Sequence, residues 1–133
     1  MHRSRLRTIV IDCNTENLDA AAEFWSRAFG KPVVPPPSDE GIYRELKTEG
    51  DEDLLLMVQK VDHPSRVHLD IESDDVEAEA KRLEALGAKR VAFVKNWWVM
   101  EAPTGQRFCI VNPQRGPLDE HANTWPDSSG TSE

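Results

Sequence analysis

Asp12, Arg66, His68 and Asp70 stand in two short apolar runs whose alternation could bring them to one place. In Arg66-Val67-His68-Leu69-Asp70-Ile71, polar and apolar residues take turns. Successive side chains of a strand point to opposite faces, so Arg66, His68 and Asp70 share one face. Val67, Leu69 and Ile71 share the other, which is expected to pack under a helix. By the same rule Thr8, Val10 and Asp12 oppose Ile9, Ile11 and Cys13, and Arg107, Cys109 and Val111 oppose Phe108 and Ile110. Gln59, the one uncharged polar residue in Leu54–Val61, is placed with the polar set. A carboxylate orients an imidazole for proton transfer near neutral pH. The catalytic candidates are therefore His68, Asp70 and Asp12, with Arg66 as a stabiliser of developing negative charge. Arg66, Gln59, Trp97, Trp98 and Cys109 are the ligand-binding candidates, the tryptophans as stacking walls. The competing reading makes Asp12 and Asp70 structural, salt-bridged to Arg66 or capping backbone. Trp97 and Trp98 would then be ordinary core, and both cysteines buried thiols. His2, His63 and His121 lie in termini or linkers and are set aside.

The elements that must carry these residues occur twice. Asp12 and Asp70 are 58 positions apart, and at the same offset Leu18 falls on Val76, Ala22 on Ala80 and Trp25 on Leu83. Each copy reads as strand, polar turn, amphipathic helix and glycine stop, at Gly30 and Gly87. The first strand is Leu6 to Cys13, and its helix runs from Leu18 to Phe29, with Leu18, Ala21, Ala22, Trp25 and Phe29 on one face. Lys31 to Val34 suits a short strand ended by Pro35-Pro36-Pro37. Strands at Ile42–Thr48 and Leu54–Val61 flank the acidic turn Glu49-Gly50-Asp51-Glu52. The second copy starts at Arg66, with a helix over about 75–86 and strands at Val91–Val94, Trp97–Glu101 and Arg107–Asn112. The order β-α-β-β-β, twice, points to an α+β fold: paired βαβββ modules forming a cup-shaped, mostly antiparallel sheet with helices outside. One domain is expected over 1–113, with modules at about 6–61 and 66–112. Residues 114–133, rich in Gly, Pro, Asp, Ser and Thr, read as an irregular or flexible tail whose Trp125 could dock on the domain or on a partner.

The chain has 133 residues and a net charge of −8. That balance argues against nucleic acid and anionic membrane surfaces, both of which select clustered Lys and Arg. No apolar run approaches a membrane span, and no signal core follows the basic N-terminus, so a cytoplasmic protein is expected. Cys13 and Cys109 fit no disulfide framework and no zinc spacing.

Ile11-Asp12-Cys13, Phe24-Trp25, Arg66-Val67-His68-Leu69-Asp70, Leu83-Glu84-Ala85-Leu86-Gly87-Ala88, Trp98-Val99-Met100, Pro103-Thr104-Gly105 and Phe108-Cys109-Ile110-Val111 together resemble the vicinal oxygen chelate superfamily, in particular its glyoxalase-like (glyoxalase/bleomycin resistance/dioxygenase-type) domains. The resemblance implies paired modules around a cup that commonly holds a divalent metal with His, Glu or Gln. By position those ligands fall on Thr8, Gln59, Arg66 and Cys109. Thr is a poor ligand and Arg has no lone pair to offer, so no metal and no cofactor are expected. Asp12, His68 and Asp70 are capable of holding an ion one step along the same strands.

The function expected is a metal-independent domain that binds a small organic molecule in its cup. The alternative is a metal-independent lyase, isomerase or dehydratase with His68 as general acid or base. A second alternative is a regulatory or protein-interaction domain. The resemblance also implies a homodimer, with the linker at His63-Pro64 as a hinge for module exchange.

Overall fold

The computed structural model describes residues 1–38, 41–48, 54–114 and 116–126. Its elements are β1 (His2–Asn14), α1 (Leu18–Phe29), β2 (Tyr43–Leu46), β3 (Leu55–Val61), β4 (Arg66–Ser73), α2 (Val76–Ala85), β5 (Lys89–Val94), β6 (Trp97–Glu101), β7 (Arg107–Val111) and β8 (Asn123–Trp125). The class is α+β with mostly antiparallel pairing, as the repeat requires. The acidic turn at Glu49–Glu52 lies outside the described residues. Among the described residues no helix is long and apolar enough to cross a membrane.

The chain divides into two compact units, Thr8–His68 and Met1–Arg7 with Leu69–Glu133. In the first unit β1 runs parallel to β3, from Thr8 opposite Leu55 to Asn14 opposite Val61, and β2 is antiparallel to β3. Of the strand expected at Lys31–Val34, one bridge remains, Val33 to Leu46, because the three prolines that follow cannot extend a ladder. Asn17 caps α1 by accepting from the N–H of Ala20, and Gly30 ends it at φ 70°, a left-handed conformation costly for other residues. Leu18 and Ala22 are buried against Leu46 and Val58, with Cys13, Ala21, Trp25, Val33 and Leu56 around them. Phe29 departs from its expected place: it is 44% exposed and lies against Trp25, with ring centroids 5.4 Å apart. The buried Arg44 of β2 reaches Asp19 in the first turn of α1 at 2.8 Å, tying helix to strand.

In the second unit β4 runs parallel to β7, and β7, β6 and β5 continue antiparallel. Ala80 of α2 meets Met100 and Ile110 in a core flanked by Val76, Leu83, Ala88, Trp98 and Phe108. The apolar face of β4 is less covered than its alternation suggests: Val67 is 53% and Leu69 40% exposed. The helix packs on β5, β6 and β7. The space beside it is a cavity of about 420 Å³ lined by Leu69, Ile71, Leu83, Leu86 and Phe108 among others. Gly87, at φ 107°, turns the chain out of α2 where a Cβ would stand 3.1 Å from Pro103.

Two expectations about the ends are corrected. β1 begins at His2 rather than Leu6, so residues 1–7 join the second unit and the module boundary falls inside one strand. Within the expected irregular stretch 114–133, Asn123–Trp125 forms β8, antiparallel to His2–Ser4. The cause of both is Glu79 of α2, whose side chain is fully buried. It accepts from His2 Nε2 at 2.7 Å, Ser4 Oγ at 2.8 Å, and Arg82 Nε and Nη2 at 2.9 and 2.8 Å. Trp125 Nε1 donates to Ser4 Oγ at 2.8 Å, and the Arg82 guanidinium lies 3.8 Å from the centre of its ring. His2 is thus a buried partner rather than a terminal bystander.

Burial pushes the Glu79 carboxyl up, but the hydrogen bonds from Arg82, His2 and Ser4 outweigh it and hold the group below its ordinary 4.5. A carboxyl depressed in the folded state adds stability above its unfolded pKa, and that share is lost as pH falls through the folded value. Glu79→Ala leaves four donor groups on three side chains without their acceptor and is expected to cost about 3 kcal/mol at pH 7. Urea unfolding is also expected to show a flatter decline in stability below pH 4.5 for this variant than for the parent chain. Equal stability of the two chains at pH 7 contradicts this role.

Candidate functional site

The first unit brings together Asp12, Arg66 and His68, and sets Gln59 beside them. Asp12 on β1 is paired with Gln59 on β3, which is paired with Tyr43 on β2. Directly opposed residues of neighbouring strands point the same way, so these three form a row on one face. The other face carries Cys13, Leu56, Val58 and Leu46 towards α1, in agreement with the alternation of the sequence. Gln59 Nε2 donates to Tyr43 Oη at 3.1 Å.

Asp12 is 2% exposed. Its Oδ2 accepts from His68 Nδ1 at 2.7 Å, and Arg66 Nε stands 3.9 Å from the same oxygen. Its Oδ1 is buried without a hydrogen-bond partner among the described residues, an unusual state for a buried polar atom. The His68 side chain is 15% exposed and that of Arg66 46% exposed. The pair is an imidazole held by a buried carboxylate, with a guanidinium at the rim. Such an arrangement can orient a ligand, accept and return a proton, or offset negative charge. Thr8, on the same face of β1 by alternation, is buried at 8% exposure.

In the second unit Asp70 on β4 is opposite Cys109 on β7, and Cys109 is opposite Val99 on β6. This row lies away from α2, whereas Trp98, opposite Ile110, lies on the helix side. Trp98 packs there with Phe93 at 5.0 Å between centroids and beneath Arg90 at 4.7 Å. Arg90 is clamped in turn by Glu77 and Glu84. Trp98 therefore packs on the helix side, whereas alternation turns Trp97 to the opposite face.

Sequence reasoning missed Tyr43, because only the register of β2 on β3 sets it in line with Gln59. It also missed the cavity beside α2. Cys13 is half-buried, and burial, more than the nearby Asp12, pushes its thiol up against the lowering contact of Trp25. That suits a packing residue rather than a nucleophile.

A family profile described as a glyoxalase-like domain matches residues 8–111. No curated protein matches the chain at comparable significance. Among solved structures, a hypothetical protein of Bacillus halodurans is 9% identical, with a TM-score of 0.59, over 87% of this chain and 99% of its own. A protein described as an NAD-dependent benzaldehyde dehydrogenase from Legionella pneumophila is 11% identical, with a TM-score of 0.55, over 80% of this chain and 98% of its own. At such identities the likeness shows the fold alone.

An ionised carboxylate can only accept, so a neutral His68 is expected to carry its proton on Nδ1. Long-range proton–nitrogen correlation of the imidazole reads this directly. Asp12→Asn is expected to give a mixture of tautomers, and a proton found mainly on Nε2 in the parent chain contradicts the arrangement.

Proposed function

The chain belongs to the glyoxalase-like domain family of the vicinal oxygen chelate superfamily, and we propose that it binds a small organic molecule without the divalent metal common among relatives. The observation that carries this is the 2.7 Å contact by which the buried Asp12 fixes His68. A preset polar group on an otherwise fixed face orients a ligand at little entropic cost. Gln59 and Tyr43 extend the polar row, and Arg66 favours a ligand with an electron-rich oxygen near the rim.

The donor set does not fit the family's usual metal. Arg66, at one of the ligand positions, has no lone pair, and its guanidinium stands 3.9 Å from Asp12 Oδ2. A cation there would meet a fixed positive charge. Thr8 is a weak donor.

The same contact favours a second reading, a metal-independent lyase, isomerase or dehydratase. The imidazole would take a proton from the bound substrate and return it, and Asp12 would stabilise the imidazolium between the two events. The readings part on turnover. In a thermal-shift screen of small organic acids, ketones and phenols, we expect a ligand whose stabilisation persists in EDTA. At a hundred times its Kd it adds about 2.7 kcal/mol, and His68→Ala loses this. Stabilisation seen only with added manganese or zinc contradicts the proposal. Consumption of the ligand that His68→Ala abolishes while retaining affinity marks the enzyme.

A further inference from the structure

The helix side of the second unit holds a cavity of about 420 Å³, within the range of roughly 300 to 1,000 Å³ usual for small-molecule sites. All of its lining residues belong to that unit. Leu69 and Ile71 of β4 and Phe108 of β7 line it from the sheet. Leu83 of α2 and Leu86 at the end of that helix line it from the other side. Alternation turns Leu69 and Ile71 away from the row of Asp70 and Cys109, so this hollow and that row lie on opposite faces of the sheet. Leu6, Leu69 and Leu86 are 39%, 40% and 66% exposed, and all three border the cavity. Large apolar side chains left open around one hollow mark a binding site, as scattered ones do not.

The charges that line the cavity are already matched. Glu79 accepts from Ser4 Oγ and from Arg82 Nε and Nη2. Arg5 Nη1 stands 3.4 Å from Asp119 Oδ1. Each lining cation is thus met by a carboxylate, and an ionic ligand would give up its hydration without gaining an opposite charge. Asn123, exposed in β8, adds a neutral amide to the lining. The positions outside the described residues hold only Asp, Glu, Gly, Arg, Ser and Thr. None of these brings a large apolar side chain to fill the space. An apolar hollow of this kind holds water poorly and apolar molecules well.

We propose that the cavity beside α2 is a second binding site, which takes an uncharged apolar small molecule with at most one hydrogen-bonding group. Apolar walls supply the affinity, and the mutual pairing of the charged liners selects against ions. The site is independent of the proposal for Asp12 and His68, which lie in the first unit.

N-phenyl-1-naphthylamine, an uncharged fluorophore that brightens on leaving water, is the probe, titrated into the full chain. Its companion, 8-anilinonaphthalene-1-sulfonate, has the same skeleton with one negative charge. Saturable binding of the neutral probe at one site is expected, with the sulfonate weaker by about tenfold or more. Leu69→Asp sets a short carboxylate in the wall, at a position open enough to tolerate it, and is expected to weaken the neutral probe about tenfold. Methyl NMR of the unaltered chain gives a second test that needs no variant. The methyls of Leu69, Ile71, Leu83 and Leu86 are expected to shift and saturate together while the His68 ring stays unmoved. Equal affinity for the two probes, unshifted methyls at these four residues, or full affinity in a folded Leu69→Asp chain overturns the proposal. So does a shift of the same methyls when the chain alone is concentrated, which marks a second copy as the occupant.

Discussion

A carboxylate taken out of water must be met by donors, and each unit is arranged around one that is. In the second unit Glu79 receives His2, Ser4 and Arg82. Satisfying it draws the first strand, the helix and the last short strand into a single network. In the first unit Asp12 is as deeply buried but is met by His68 through one oxygen, with Arg66 at a distance and the other oxygen unpartnered among the described residues. A fully compensated carboxylate is a structural joint. One compensated through a partly exposed imidazole fixes that ring in place, which is why the proposed function rests on Asp12 and the stability role on Glu79.

The sequence carries the large pattern because alternation and helical spacing are local properties. The faces of β1 and β7 follow their alternation, and both helices lie within a residue or so of their expected bounds. What it did not carry depends on long-range partners. His2 looked like a terminal residue until Glu79, 77 positions away, bonded to it. Trp98 looked as available as Trp97 until the register put it opposite Ile110, towards α2. The strand read from Leu6 left out the basic start, and the Pro- and Gly-rich end read as irregular. Their pairing is non-local and rests on buried polar contacts that no hydrophobic periodicity reveals. In the candidate site, Asp12, His68 and Arg66 were legible from strand parity, whereas Tyr43 needed the register of β2.

Family membership alone does not give this chain's function. The fold is that of glyoxalase-like domains, a scaffold whose relatives differ in what their strands present. Here the positions that the resemblance equates with the usual metal ligands carry a guanidinium, a hydroxyl, an amide and a thiol. That donor set is the ground on which an organic ligand is proposed.

The central claim is that the face carrying Asp12, His68 and Gln59 recognises an organic ligand with no metal present. Its most direct measurement is the side-chain NMR spectrum of the chain in EDTA, followed while a ligand from the screen is added. The account predicts that the His68 ring, the Gln59 amide and the Tyr43 ring shift together and saturate at one affinity. Saturable binding that leaves those three signals unmoved, or moves them only after a divalent metal is supplied, contradicts it.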